Sequence, residues 1–110
     1  MVEKRQLHIF AKRISEAIDK LNIYILDMTM DDFLWDPKTI DACMMQLQHI
    51  WETIIQIKKY YPNVIFVDEN KIMWLRHFIS HEYIKIDPEI AYITIKTKLH
   101  ILKSEIENLI

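Results

Sequence analysis

The chain has no glycine, three prolines and one cysteine in 110 residues. Each scarcity excludes something. Tight two-residue hairpins depend on residues that accept left-handed backbone, glycine above all, so a glycine-free chain is poorly suited to a sheet-rich fold. Three prolines leave long stretches free to run as uninterrupted helix. The single thiol, Cys43, has no partner for an internal disulfide, which fits a reducing cytoplasmic setting. Long apolar runs are also missing: none approaches the roughly 20 residues that a membrane span needs, so no membrane partner is expected. The first residues read as amphipathic helix rather than as the apolar block of a secretory leader. The formal net charge of −2 argues against broad adhesion to nucleic acid, and DNA is not expected as a ligand. Any contact with RNA has to be local.

What is present is helical periodicity. Hydrophobic residues make up 51% and charged residues 27% of the chain, a globular balance. From Glu3 to about Met28, the residues Leu7, Phe10, Ile14, Ala17, Leu21, Tyr24 and Met28 step by three and four, one stripe of a bundle helix. Thr29-Met30-Asp31-Asp32 resembles a capping box, with Asp32 where Glu is more usual. A short helical turn through Phe33 and Leu34 follows. Asp36-Pro37 is a second start signal, because Asp caps and Pro fits the first helical position.

The helix after Pro37 carries Ile40, Cys43, Leu47, Ile50, Ile54, Ile57 and Tyr61, with Met44, Trp51 and Ile55 as a flanking strip. So wide a strip suits either a second subunit or full burial within one bundle. Tyr61-Pro62-Asn63 breaks the helix. Val64-Ile65-Phe66-Val67 is strand-like in composition but has no second strand to pair with, so it reads as an apolar connection lying on the bundle. Asp68 caps a third helix, about Glu69 to Tyr83. Asp87-Pro88-Glu89 starts a fourth, with Tyr92, Ile95, Leu99, Leu102, Ile106 and Leu109 as its stripe. The expectation is an all-α, antiparallel up-and-down four-helix bundle forming one domain over residues 1–110.

One stretch is dense in chemistry: Arg76-His77-Phe78-Ile79-Ser80-His81-Glu82-Tyr83. On a helix, Arg76, Ser80, His77, His81 and Tyr83 share a polar sector, while Ile72, Leu75, Phe78 and Ile79 take the other side. Arg76 and His81 do not share one line. Joint action requires the Arg76 stem to reach around, the helix to end near His81, or a symmetry mate to supply one of them. Arg offers a permanent charge and a planar fork of donors suited to a phosphodiester. His gives or takes a proton near neutral pH. RNA supplies its own nucleophile, the 2′-hydroxyl, so this pair suffices for cleavage without metal or other cofactor. The plain alternative is a surface ion network on an ordinary bundle. His77 and Ser80 are supporting residues at most, and Glu82 points off the sector. His77-x-x-x-His81 has metal-ligand spacing, but no third ligand accompanies it. His8, His49 and His100 read as structural or exposed. Lys58-Lys59 reads as a solvated helix end that could guide RNA.

Arg76, His81 and Tyr83 form an Arg-x-x-x-x-His-x-Tyr motif that resembles that of HepT-like toxins in the HEPN superfamily. His77 fills a polar slot where Asn is commoner. Thr29-Met30-Asp31-Asp32-Phe33 resembles the family's acidic-Phe segment, and His49-Ile50-Trp51-Glu52 its Ile-Gly-Glu segment, with Trp51 in place of Gly. Asp87-Pro88-Glu89 resembles the stretch before its last helix. The resemblance implies a toxin of a toxin–antitoxin pair: a metal-independent endoribonuclease, dimeric about a two-fold axis with a composite cleft. Arg76 would bind the scissile phosphate and His81 would act as general acid or base. It also implies a minimal nucleotidyltransferase antitoxin that transfers AMP to Tyr83. Two other readings are a non-catalytic partner of such a nucleotidyltransferase, and a plain helical dimer with an interaction role.

Overall fold

The computed structural model describes residues 4–73 and 87–110. Among them are five α-helices: α1 (Lys4–Tyr24), α2 (Met30–Leu34), α3 (Pro37–Tyr60), α4 (Pro88–Thr97) and α5 (Leu99–Glu107). Residues 69–73 are also helical. No strand occurs among the described residues, and residues 64–67 form a connection, as the lack of a second strand to pair with suggested despite their strand-like composition. Phe66 is buried there, while Ile65 and Val67 face solvent.

The helix starts form where local chemistry dictates. At α2 the Thr29 hydroxyl accepts from the Asp32 amide at 3.1 Å, and Asp32 Oδ2 accepts from the Thr29 amide at 3.0 Å. This reciprocal pair satisfies two backbone donors that the first turn leaves open. At α3, Asp36 accepts from the Thr39 amide at 3.1 Å and from its hydroxyl at 2.8 Å. Those bonds favour the ionised form and hold the Asp36 carboxyl below its ordinary value. At α4, Asp87 caps through the Glu89 amide at 3.0 Å, with Pro88 at the first helical position.

Two helix ends differ from expectation. α1 stops at Tyr24, not near Met28, because Asp27 takes a left-handed conformation (φ 61°). A short polar side chain tolerates that backbone, and it turns the chain out of the helix. Met28 still packs on the core beyond the turn. Its carbonyl accepts from the Tyr92 hydroxyl at 2.6 Å. The last helix is also not continuous: it breaks at Lys98 between α4 and α5. Thr94 and Thr97 donate their hydroxyls back to the carbonyls of Ile90 and Ile93, at 2.8 and 2.7 Å. Such back-bonding competes with the helical ladder and bends it. The apolar stripe nonetheless runs through the break, with Ile95, Leu99, Leu102 and Ile106 all buried.

α1 packs along α3 and α5, α2 bridges α3 and α4, and α4 lies on α5. The α1–α3 pair is antiparallel: Phe10 near the start of α1 stacks on Tyr60 at the end of α3, with ring centroids 6.5 Å apart. Their shared interior holds Ile14, Ile18, Leu21, Leu47, Ile50, Ile54 and Ile57, all essentially inaccessible to water. Each such side chain contributes about 1.5–3 kcal/mol by leaving water. Trp51 is buried within this single chain as well, and Met44 and Ile55 are half-buried. The wide strip on α3 is therefore largely covered without a second subunit. Cys43 lies in the same interior, where burial, helped by the Asp36 charge, pushes its thiol up to about 11. At neutral pH it is protonated and sealed, which removes it as a nucleophile.

Candidate functional site

The residues singled out by sequence (Arg76, His77, Ser80, His81 and Tyr83) lie outside the described residues. What the structure gives is the frame on either side of them. On the entering side, α3 ends at Tyr60 and the chain turns through Tyr61-Pro62-Asn63 into the helical residues 69–73. On the leaving side, Asp87 and Pro88 start α4.

The entering side is held by a compact polar clamp. Lys58 Nζ donates to the Val64 carbonyl at 2.6 Å and pairs with Glu69 at 3.3 Å. Glu69 Oε1 also accepts from the Phe66 amide at 2.8 Å. Farther along, Glu105 on α5 accepts from the Val67 amide at 3.0 Å. The turn is thus tied both to α3 behind it and to α5 beside it. Ile72 is then driven fully into the core, which fixes the rotation with which residues 69–73 leave the turn. Lys58 is not the solvated helix-end residue that sequence suggested. Its ammonium is half-buried and spent on the clamp, while Lys59 alone stays exposed, its ammonium 5.4 Å from the centre of the Tyr60 ring. The signal for Lys58 was weak, since its carboxylate partner sits eleven residues on, across a turn.

Replacing Glu69 with alanine should cost about 1–3 kcal/mol, because it takes the counter-charge from the half-buried Lys58 ammonium and the acceptor from the Phe66 amide together. A drop in the urea midpoint of Glu69→Ala, with little loss for the exposed Glu107→Ala, is the expected result. Equal midpoints would show that the clamp contributes nothing.

Two concavities accompany this frame. One lies between residues 69–73 and the last helices, lined by Asn70, Lys71, Ile90, Ile93, Thr94 and Thr97, and is largely apolar. The other is a polar groove along α1 and α3. Arg13, Glu16 and Lys20 line it from α1, and Gln46, His49, Glu52 and Thr53 from α3. Thr53 is fixed by donating its hydroxyl to the His49 carbonyl at 2.8 Å. His49 is exposed beside Arg13, a juxtaposition that the sequence reading missed by sorting each histidine alone. The signal for it is the antiparallel register of α1 against α3, which brings the two positions together across the groove. Among the described residues, no group of three or more metal-ligating side chains comes together. None of the described helices is long and apolar enough to cross a membrane.

Comparison with known proteins gives two matches. A family model described as Ribonuclease HepT-like matches residues 14–109. The chain is also 26% identical, over 96% of its length and 97% of the other's, to a protein of Thermococcus cleftensis named "Probable ribonuclease HepT". No solved structure matches.

Proposed function

Because the chain belongs to the HepT-like ribonuclease family, we propose that it is the toxin of a toxin–antitoxin pair and cleaves RNA by using the RNA's own 2′-hydroxyl. The observation that carries this reading is the motif itself: Arg76, His81 and Tyr83 all fall inside the matched span of residues 14–109. The full-length match to a protein named as a ribonuclease supports it.

In the proposed reaction, the 2′-oxygen attacks the adjacent phosphorus, the bond to the 5′-oxygen breaks, and a 2′,3′-cyclic phosphate is left. Arg76 holds the non-bridging oxygens, where negative charge accumulates, with two parallel N–H donors. His81 moves a proton, either off the 2′-hydroxyl or onto the departing 5′-oxygen. His77 and Ser80 support them. A homodimer would bring Arg76 and His81 of two chains to one composite cleft.

Control is proposed to come from a cognate minimal nucleotidyltransferase acting on Tyr83. The phenol oxygen attacks the α-phosphorus of ATP, the anhydride bond to the β-phosphate breaks, and pyrophosphate leaves with AMP retained on oxygen. An added phosphate two residues from His81 would compete for the Arg76 fork. The proposed setting is the cytoplasm, and the proposed partners are RNA and the nucleotidyltransferase.

The experiment is direct. Purified protein incubated with single-stranded RNA in EDTA should cut it, since nothing in the proposed step calls for a divalent ion. Intact RNA at micromolar enzyme would sink the reading.

A further inference from the structure

Charge is strongly segregated along the α1–α3 pair. Residues 4–13 carry Lys4, Arg5, Lys12 and Arg13 and no carboxylate. The opposite end, residues 25–41, carries Asp27, Asp31, Asp32, Asp36 and Asp41 against Lys38 alone. A net charge of −2 therefore hides a basic start to α1 and an acidic stretch at the opposite end of the pair, while the carboxylates near the end of α3 are engaged: Glu69 by Lys58, Asp68 by Lys71 and Glu105 by the Val67 amide.

The core fixes which way the basic end faces. Phe10, Ala11, Ile14, Ala17, Ile18 and Leu21 are buried, so the opposite face of α1 must point outward. Arg5 and Lys12 fall on the crown of that face and Arg13 on its flank toward α3. All four cations are exposed, and among the described residues none has an ion-pair partner. Farther along α1, Asp19 is taken by Lys103 of α5. Antiparallel packing adds Lys59 at the end of α3, held beside the Phe10–Tyr60 stack, and His49 stands across the groove from Arg13. Two carboxylates, Glu16 and Glu52, line the same groove as Arg13 and His49, so the open cationic surface is the crown of α1 with Lys59. The zone lies at the end of the bundle where the chain leaves α3 for residues 69–73.

We propose that this end of the α1–α3 pair is a second, non-catalytic contact for RNA, with Arg5, Lys12, Arg13 and Lys59 binding successive backbone phosphates. The inference rests on RNA being the substrate. Exposed, unpaired cations on one rigid helix suit a flexible polyanion, because each phosphate bound releases counterions with no rearrangement of the protein. The apolar stripe of α1 is committed to the core and its outward face at this end adds only Ile9, too little to anchor the helix in a lipid surface.

The test measures binding rather than cleavage, in the His81→Ala background so that RNA stays intact. Anisotropy of a labelled single-stranded RNA is followed across potassium chloride concentrations. The variant Arg5→Gln/Lys12→Gln/Arg13→Gln should lower affinity at low salt at least tenfold. It should also flatten the slope of log K against log salt by about 2, since each single-strand phosphate contact contributes about 0.7. The singles Lys12→Gln and Arg13→Gln should each flatten it by about 0.7, and Asp31→Asn/Asp41→Asn at the acidic end should not. An unchanged slope in the triple and both singles overturns the inference, as does preference of the basic end for anionic phospholipid vesicles over RNA. Cleavage of a trinucleotide by the same triple variant with His81 restored separates the two claims. Normal trinucleotide cleavage with a lost salt slope supports both, while an unchanged slope with normal cleavage removes only the phosphate contact. Failure of the unaltered chain to cut any RNA removes the ribonuclease reading and, with it, the premise of this inference, whatever the slope.

Discussion

His81→Ala should reduce RNA cleavage by about 10²–10⁴-fold, the usual contribution of a positioned general acid or base. Arg76→Ala should reduce it by about 10²–10³-fold, the loss typical of one preorganised donor group aimed at developing charge. Arg76→Lys should recover little, because an ammonium keeps the charge but not the planar fork. The controls separate chemistry from folding: each variant should keep the helical circular-dichroism signal and the urea midpoint of the unaltered chain. His77→Ala and Ser80→Ala, as supporting positions, should cost much less than either. A His81→Ala protein that cuts as fast as its parent would remove His81 from the reaction. Equal losses at all four positions would point instead to a shared structural role.

Co-expression with the cognate nucleotidyltransferase should add mass to the chain in whole AMP units and abolish cleavage, the second large effect expected. Tyr83→Phe should then stay at its unmodified mass, keep cutting RNA, and kill cells even when the partner is present. The reason is chemical: phenylalanine keeps the ring but has no oxygen to attack the α-phosphorus. Two results would count against the role of Tyr83. One is AMP found on another residue of the Tyr83→Phe protein with full neutralisation. The other is neutralisation by the partner with no mass change, which would mean that the partner acts by covering this chain.

Much of this was legible before any coordinates, and the legible parts share a cause. Thr29 with Asp32, Asp36 with Pro37, and Asp87 with Pro88 are contacts within four residues, so sequence alone displays both partners. The apolar stripes of α1, α3 and the last two helices were legible for the same reason, since burial imposes a period the sequence cannot hide. Contacts between elements were not. Lys58 looked like an ordinary helix-end lysine because Glu69 and the Val64 carbonyl reach it only after the chain has turned back. Similarly, the break at Lys98 depends on two threonine hydroxyls choosing backbone partners, a choice that periodicity does not register.

The indole of Trp51 shows the limit from another side. The ring is buried, as a wide apolar strip requires, yet among the described residues its N–H finds no hydrogen-bond partner. A buried donor left open costs about 1–3 kcal/mol, and nothing in the stripe foretold it. As for the site, sequence supplied the motif and its chemistry, and the described structure supplies the clamp, the entry turn and the exposed basic end. The relative placement of Arg76, His81 and Tyr83 depends on residues 74–86, outside that frame.

The most direct measurement is of the ends left by cleavage in EDTA. A 2′,3′-cyclic phosphate on one product and a 5′-hydroxyl on the other are expected, with no cut where the mapped site carries a 2′-deoxy sugar. A 3′-hydroxyl with a 5′-phosphate, or cleavage that persists at the deoxy position, would contradict attack by the RNA's own hydroxyl.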